Sequence, residues 1–96
     1  MCEFKIVNVE DGSQLLEDVV VLYHAADGGL ILKDVLGMGE KVDSALIYDV
    51  NTLNQTCKII KHPLVKPFIE LLRTIIDKKD NEVLITRFKE QLDELI

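Results

Sequence analysis

The 96-residue chain has no tryptophan, only five aromatic residues, two cysteines, two prolines and two histidines, and after Gly39 it has no glycine at all. Each scarcity excludes something. Two cysteines, Cys2 and Cys57, are too few for the disulfide framework of a small secreted domain. No apolar run approaches the roughly 18 residues that a membrane span requires, and "MCEFKIVNVED" has neither the basic flank nor the long apolar stretch of a signal peptide. The expected location is therefore the cytoplasm, with no membrane partner. Positive charge is also in short supply. Eleven basic residues face 17 acidic ones, for a formal net charge of −6. Nucleic-acid binding rests on basic patches that displace counterions, so no nucleic-acid partner is expected. There is no Gly-x-Ser-x-Gly, no phosphate-cradling glycine loop and no His-Glu-x-x-His, and no spacing singles out a pair of carboxylates. The chain is not expected to be an enzyme.

What is present divides at "KHPLVKP", which holds both prolines. Proline restricts the preceding residue to extended geometry and is tolerated in a first helical turn. Residues 1–62 carry short-period patterning broken by turn residues. "CEFKIVNV" alternates, with Phe4 and Ile6 on one side and Lys5 and Val7 on the other. "EDGS", "ADGG", "MGEK" and "NTLNQ" are turn signals, and "LLEDVVVLYHA", "LILKDVLG", "KVDSALIYDV" and "TCKIIKH" are strand candidates. Five or six short strands at this spacing predict a small antiparallel β-barrel of SH3-like or OB-like size. Residues 63–96 change to helical periodicity. Phe68, Leu72 and Ile75, with Ile69 and Ile76 beside them, form one wide stripe; Leu84, Phe88, Leu92 and Leu95 form another. The polar "DKKDNE" between them favours a helical hairpin, with Asp80 or Asn81 capping the second helix; one long helix is the alternative. The fold class is thus α+β, with a barrel module over residues 1–62 and a helical extension over 63–96. The barrel part has five lysines against ten acids, so the acidic character belongs to it. A module of about 60 residues buries only a modest core, which favours a homodimer with an isologous contact.

Cys2 is the one residue with a chemical reason for its position. With Met1 retained, its amine, the Cys2 amide nitrogen and the Cys2 thiolate close two fused five-membered chelate rings; with Met1 removed, the Cys2 amine and thiolate close one and the Glu3 amide can add a second. Planar nitrogen and sulfur donors suit Ni(II) or Cu(II), and a deprotonated ligand set makes binding rise with pH. The plainer reading is a small hydrophobe that starts the first strand. His24 and His62 are distant from each other in sequence and are expected to be surface hydrogen-bonding residues rather than ligands. Cys57, within "TCKIIK", is expected in the core, and Met38, between two glycines, in a turn.

The opening "MCE", the "LLEDVVVL" strand, "GGLILKDVLG" and the closing "ALIYDVNTLNQTCKII" together resemble the CooT-type small nickel-binding accessory proteins. The resemblance spans about residues 1–61. It implies a small β-barrel, a homodimer, and one Ni(II) per dimer held near the N-termini by Cys2, with Met1 and Glu3 as its neighbours. It further implies nickel delivery to carbon monoxide dehydrogenase or a related nickel enzyme. An older label for such chains, predicted RNA-binding protein, sits poorly with the acidic charge. Two alternatives stay open. One is a HypC-like maturation chaperone, a family that also opens Met-Cys but continues with a small apolar residue and proline where this chain has Glu3 and Phe4. The other is a non-catalytic protein-interaction module that works through its helices.

Overall fold

A computed structural model describes residues 3–96; Met1 and Cys2 lie outside the described residues. Seven strands precede two helices: β1 (Phe4–Asn8), β2 (Gln14–Val19), β3 (Val21–His24), β4 (Leu30–Lys33), β5 (Gly39–Val42), β6 (Ala45–Asn51), β7 (Thr56–Lys61), α1 (Val65–Ile76) and α2 (Glu82–Asp93). The strands form a four-stranded sheet in the order β2-β1-β7-β6 and a three-stranded sheet in the order β3-β4-β5. The α+β class and the helical hairpin agree with the sequence. The closed antiparallel barrel is not found: there are two sheets, and β1 runs parallel to β7, pairing Ile6 with Cys57 and Asn8 with Ile59. A cleft of about 200 Å³ lies between the sheets, lined by Leu16 and Glu17 of β2, Leu32 and Lys33 of β4, and Gly39 and Glu40 of β5.

Both sheets supply one core. Ile6, Val19, Leu30, Leu32, Ala45, Cys57 and Ile59 are all essentially buried, with Phe4, Leu16, Leu22, Val42 and Ile47 packed around them. Strand alternation is what aims these side chains inward: Leu30 and Leu32 in β4, and Cys57 and Ile59 in β7, each lie two residues apart on one face. Cys57 occupies the core position expected of it.

Several boundaries differ from the sequence reading, each for a local reason. "LLEDVVVLYHA" is two strands, because the chain leaves one sheet for the other at Val20. Asp18 adopts φ 60°, a left-handed conformation that Asp tolerates better than most residues, and the Val20 amide bonds the Lys33 carbonyl at 2.9 Å. The β4–β5 turn is Asp34–Met38 rather than "MGEK". The Asp34 carboxylate accepts the amides of Leu36 (2.9 Å) and Met38 (3.0 Å), and Gly37 supplies φ 81°. Met38 thus lies in a turn, as expected. "KVDSALIYDV" breaks at Asp43 and Ser44, making the seventh strand.

The root of α1 is fixed by a device invisible in the local sequence. Leu64, the N-cap, offers no side-chain acceptor. The Lys66 amide instead bonds the Ser44 Oγ at 3.0 Å, the Val65 amide bonds the His62 carbonyl at 3.0 Å, and the Ser44 hydroxyl itself donates to that carbonyl. A turn 22 residues upstream therefore caps the helix. At its other end α1 closes with Lys78 in the left-handed conformation (φ 56°). The Lys78 amide bonds Ile75 and the Lys79 amide bonds Thr74, which is the Schellman arrangement. Asn81 is the N-cap of α2 by position, but it is the Asp80 carboxylate that accepts the Glu82 amide. Phe68 and Phe88 bring α1 and α2 together with ring centroids 5.8 Å apart. The radius of gyration is 15.0 Å, against about 12.5 Å for a compact domain of this length. The molecule is elongated.

Candidate functional site

The strand registers sort the loops into two ends of the β module. Phe4 opens β1 opposite Val19, the last residue of β2, and Lys5 pairs with Thr56, the first residue of β7. Val21 opens β3 opposite Lys33, the last residue of β4, and Lys33 in turn pairs with Gly39 at the start of β5. One end of the module therefore collects the chain at Glu3, the β2–β3 crossover, the Asp34–Met38 turn and the 52–55 turn. The opposite end collects the 9–13 turn, the 25–29 loop, the Asp43–Ser44 turn and the root of α1.

Of the residues predicted to hold a metal, Glu3 lies at the first end, exposed and directly ahead of β1. Met1 and Cys2 fall outside the described residues. The histidines do not join them. His24 closes β3 and pairs with Leu30, and His62 follows β7, so both sit toward the far end. His24 is half-buried, and its Nδ1 is buried without a hydrogen-bond partner; burial pulls its pKa below the usual histidine value. His62 is exposed, and its Nδ1 accepts the Leu64 amide at 3.1 Å, as the surface role predicted for it requires. Among the described residues, no group of three or more His, Cys, Asp or Glu side chains is arranged to hold a metal ion.

The second cysteine is chemically distinct. Cys57 is fully buried between the sheets, and burial, with the Asp49 charge adding to it, pushes its thiol pKa up. A thiol held protonated in the core is neither a nucleophile nor a ligand. In a Cys2→Ala chain, a thiol reagent at neutral pH should therefore titrate no sulfur in native protein and one after unfolding in denaturant. A fast native reaction would show that the core opens at β7.

The end that carries Glu3 has a second property, which the sequence did not disclose. Val35, Leu36 and Met38 of one turn and Leu53 of the other are between 60% and 94% exposed. Turn tips are ordinarily polar, and four large apolar side chains at one end of a small module form a surface suited to contact with another protein. "DVLGM" and "NTLNQ" read as turns, and only the register shows that these two turns share an end. Three acidic residues of the module, Asp11, Asp27 and Asp34, take local roles. Asp11 bonds the Ser13 amide and hydroxyl, which lowers its pKa, and Asp27 is paired with Lys41, which lowers the pKa of Asp27 and raises that of Lys41.

Two comparisons with known proteins match the β module. The family model described as CO dehydrogenase accessory protein CooT matches residues 1–60. A crystal structure assigned to CooT from Carboxydothermus hydrogenoformans superposes with a TM-score of 0.56 at 22% sequence identity, covering 64% of this chain and 98% of the other. At that identity the likeness establishes a shared fold. No curated protein matches the chain. The family match ends before α1, so both helices lie beyond it.

Proposed function

The chain belongs to the CooT family of CO dehydrogenase accessory proteins, and on that premise we propose that it is a nickel carrier for such an enzyme, with the Cys2 thiolate as its anchoring ligand. The protein serves the enzyme rather than performing its catalysis. The observation that carries the reading is the family match over residues 1–60, which takes in Cys2 and all of the β strands but the last residue of β7. The chemistry supports it. A thiolate is a soft donor, the main-chain nitrogens flanking Cys2 between Met1 and Glu3 are planar donors, and together they suit Ni(II). Cys57 is sequestered and does not compete for the metal. Two copies meeting near their Cys2 residues would place two thiolates on one Ni(II), which is the homodimeric form of the proposal. The apolar turn tips at the same end, with Leu36 and Leu53 foremost, are the surface against which the client enzyme would dock.

The carrier's task is to bind the ion and release it. A small ligand set allows a client's donors to displace the carrier's one at a time. A closed set of four ligands would hold the metal as a structural site does.

Titration with Ni(II) tests the proposal. The untagged protein should develop a thiolate-to-metal charge-transfer band that saturates at one ion per two chains. Because the thiol must lose its proton to bind, the affinity should rise with pH through the thiol range, near 8.5 for an unperturbed cysteine. Cys2→Ala should lose the band and at least tenfold in affinity. Equal binding by both proteins would end the nickel-carrier reading. A Cys2-dependent capture of a hydrogenase maturation target without metal binding would favour the HypC-like alternative.

A further inference from the structure

The helical hairpin is inverted relative to what an appended helix pair normally does. On α1, the side that meets the β module is polar. A Cβ placed on Gly28 would lie 3.0 Å from the Lys66 carbonyl oxygen, and Glu70, Arg73 and Thr74 share a cavity with Ala26 of the same loop. Phe68, Leu72 and Ile75 lie at i, i+4 and i+7, roughly opposite Lys66, Glu70 and Thr74 on the helical wheel. Phe88 and Leu92 on α2, with Leu95 in the turn just past its end, repeat the same spacing, and the Phe68–Phe88 contact sets the two stripes side by side. The result is an apolar face left open to water. Phe68, Leu72, Ile75, Leu92 and Leu95 are between 41% and 60% exposed, and Val65, at the root, is the one fully buried residue of the two helices. Two 12-residue helices in isolation are marginal in water, so the hairpin depends on covering that face.

We infer that a second copy of this chain covers it, the two hairpins packing as a four-helix bundle about a two-fold axis. Two observations select this occupant. The first is charge. Residues 64–96 carry six basic and seven acidic side chains, whereas the β module holds five lysines against ten acids. Two hairpins, each close to neutral, meet with little net repulsion, whereas the strongly acidic β modules would need a metal or another counter-charge to do the same. The second is area. The exposed parts of these side chains amount to roughly 500 Å² per chain, so an isologous contact removes about 1,000 Å² of mostly apolar surface, the threshold for a specific interface. The hairpin is rooted at the end of the β module opposite Glu3. This surface is therefore separate from any pairing of Cys2 residues and needs no metal. Ni(II) bridging at the other end would join such dimers into larger assemblies.

Sedimentation equilibrium of the full chain in excess chelator tests the inference. The wild-type protein and Cys2→Ala should both be dimers at about 50 µM. Leu72→Lys with Ile75→Lys, both changes at half-exposed sites, should weaken the dimer at least 100-fold, with the β-module amides unshifted by NMR. A metal-free monomer, a dimer lost in Cys2→Ala, or a dimer that survives the double substitution would each overturn it. Hydrogen exchange on wild-type protein decides the case in which the double variant does not fold. Protection of the amides in α1 and α2 should rise with protein concentration, and concentration-independent protection would sink the idea. Nickel stoichiometry is read separately, so this surface and the metal site stand or fall independently.

Discussion

Gly39→Ala is expected to lower stability by about 3–5 kcal/mol, a large share of the roughly 5–14 kcal/mol available to a domain of this size. A Cβ at Gly39 would lie 1.7 Å from the Leu32 carbonyl oxygen, 2.7 Å from its carbonyl carbon and 2.8 Å from the Lys33 Cα. All three are backbone atoms of the partner strand and cannot rotate aside. Relief requires β5 to move off β4, breaking the pairs Lys33–Gly39 and Leu32–Glu40 and uncovering Leu32, which is fully buried. The internal control is two residues away. Gly37 has φ 81° but nothing within 4 Å of a Cβ, so Gly37→Ala should cost only about 1–2 kcal/mol of left-handed strain. With a urea slope near 1–1.5 kcal/mol/M, Gly39→Ala should lower the unfolding midpoint by about 2–5 M and Gly37→Ala by about 0.7–2 M. Equal midpoints would show that β5 is not held where it is described. The consequence is functional as well, because β5 begins where the turn carrying Val35, Leu36 and Met38 ends.

Ile59→Ala should cost about 3–4 kcal/mol, or roughly 12–30 °C in Tm for a domain this small. Ile59 is fully buried in β7, opposite Asn8 on one side and Ile47 on the other, and its carbonyl accepts the Val9 amide at 2.9 Å. Truncation leaves a void where the two sheets meet. Seven residues make up that core, so little surrounding mass can relax into the gap. Leu53→Ala is the instructive contrast. Its side chain is 94% exposed, and its removal should change stability by under about 0.5 kcal/mol. If Leu53 belongs to the client-docking rim, that same substitution should weaken capture of the enzyme while leaving both Tm and nickel stoichiometry alone. Calorimetry on the three proteins separates the roles, and a large Tm loss in Leu53→Ala would place that turn in the fold rather than at an interface.

Much of the fold was legible because its cause is local. Alternation aimed Phe4 and Ile6 to one side of β1; "TCKIIK" put Cys57 and Ile59 on one face; proline at positions 63 and 67 marked the change from strand to helix, and "DKKDNE" the turn between helices. The strand breaks were less legible. Val20 carries no turn signature and Asp43–Ser44 only a brief one, and the chain bends at both because the partner strands lie in different sheets, a fact of pairing more than of composition. The parallel β1–β7 pair was unreadable for the same reason: 47 residues separate the two strands, and nothing within either states the direction of its neighbour. The helix cap supplied by Ser44 and the meeting of two apolar turn tips beside Glu3 are likewise products of register. The proposed metal hook is the opposite case. Position 2 and the residue type at it are sequence facts, and with the family match over residues 1–60 they carry the nickel proposal. What tertiary structure alone decided is the arrangement of the rest: which apolar tips share the end that carries Glu3, that Cys57 is shut in the core, and that the helices stand at the far end with their apolar face turned outward. Those follow from which strand pairs with which, and pairing energies are set by side chains far apart in the chain.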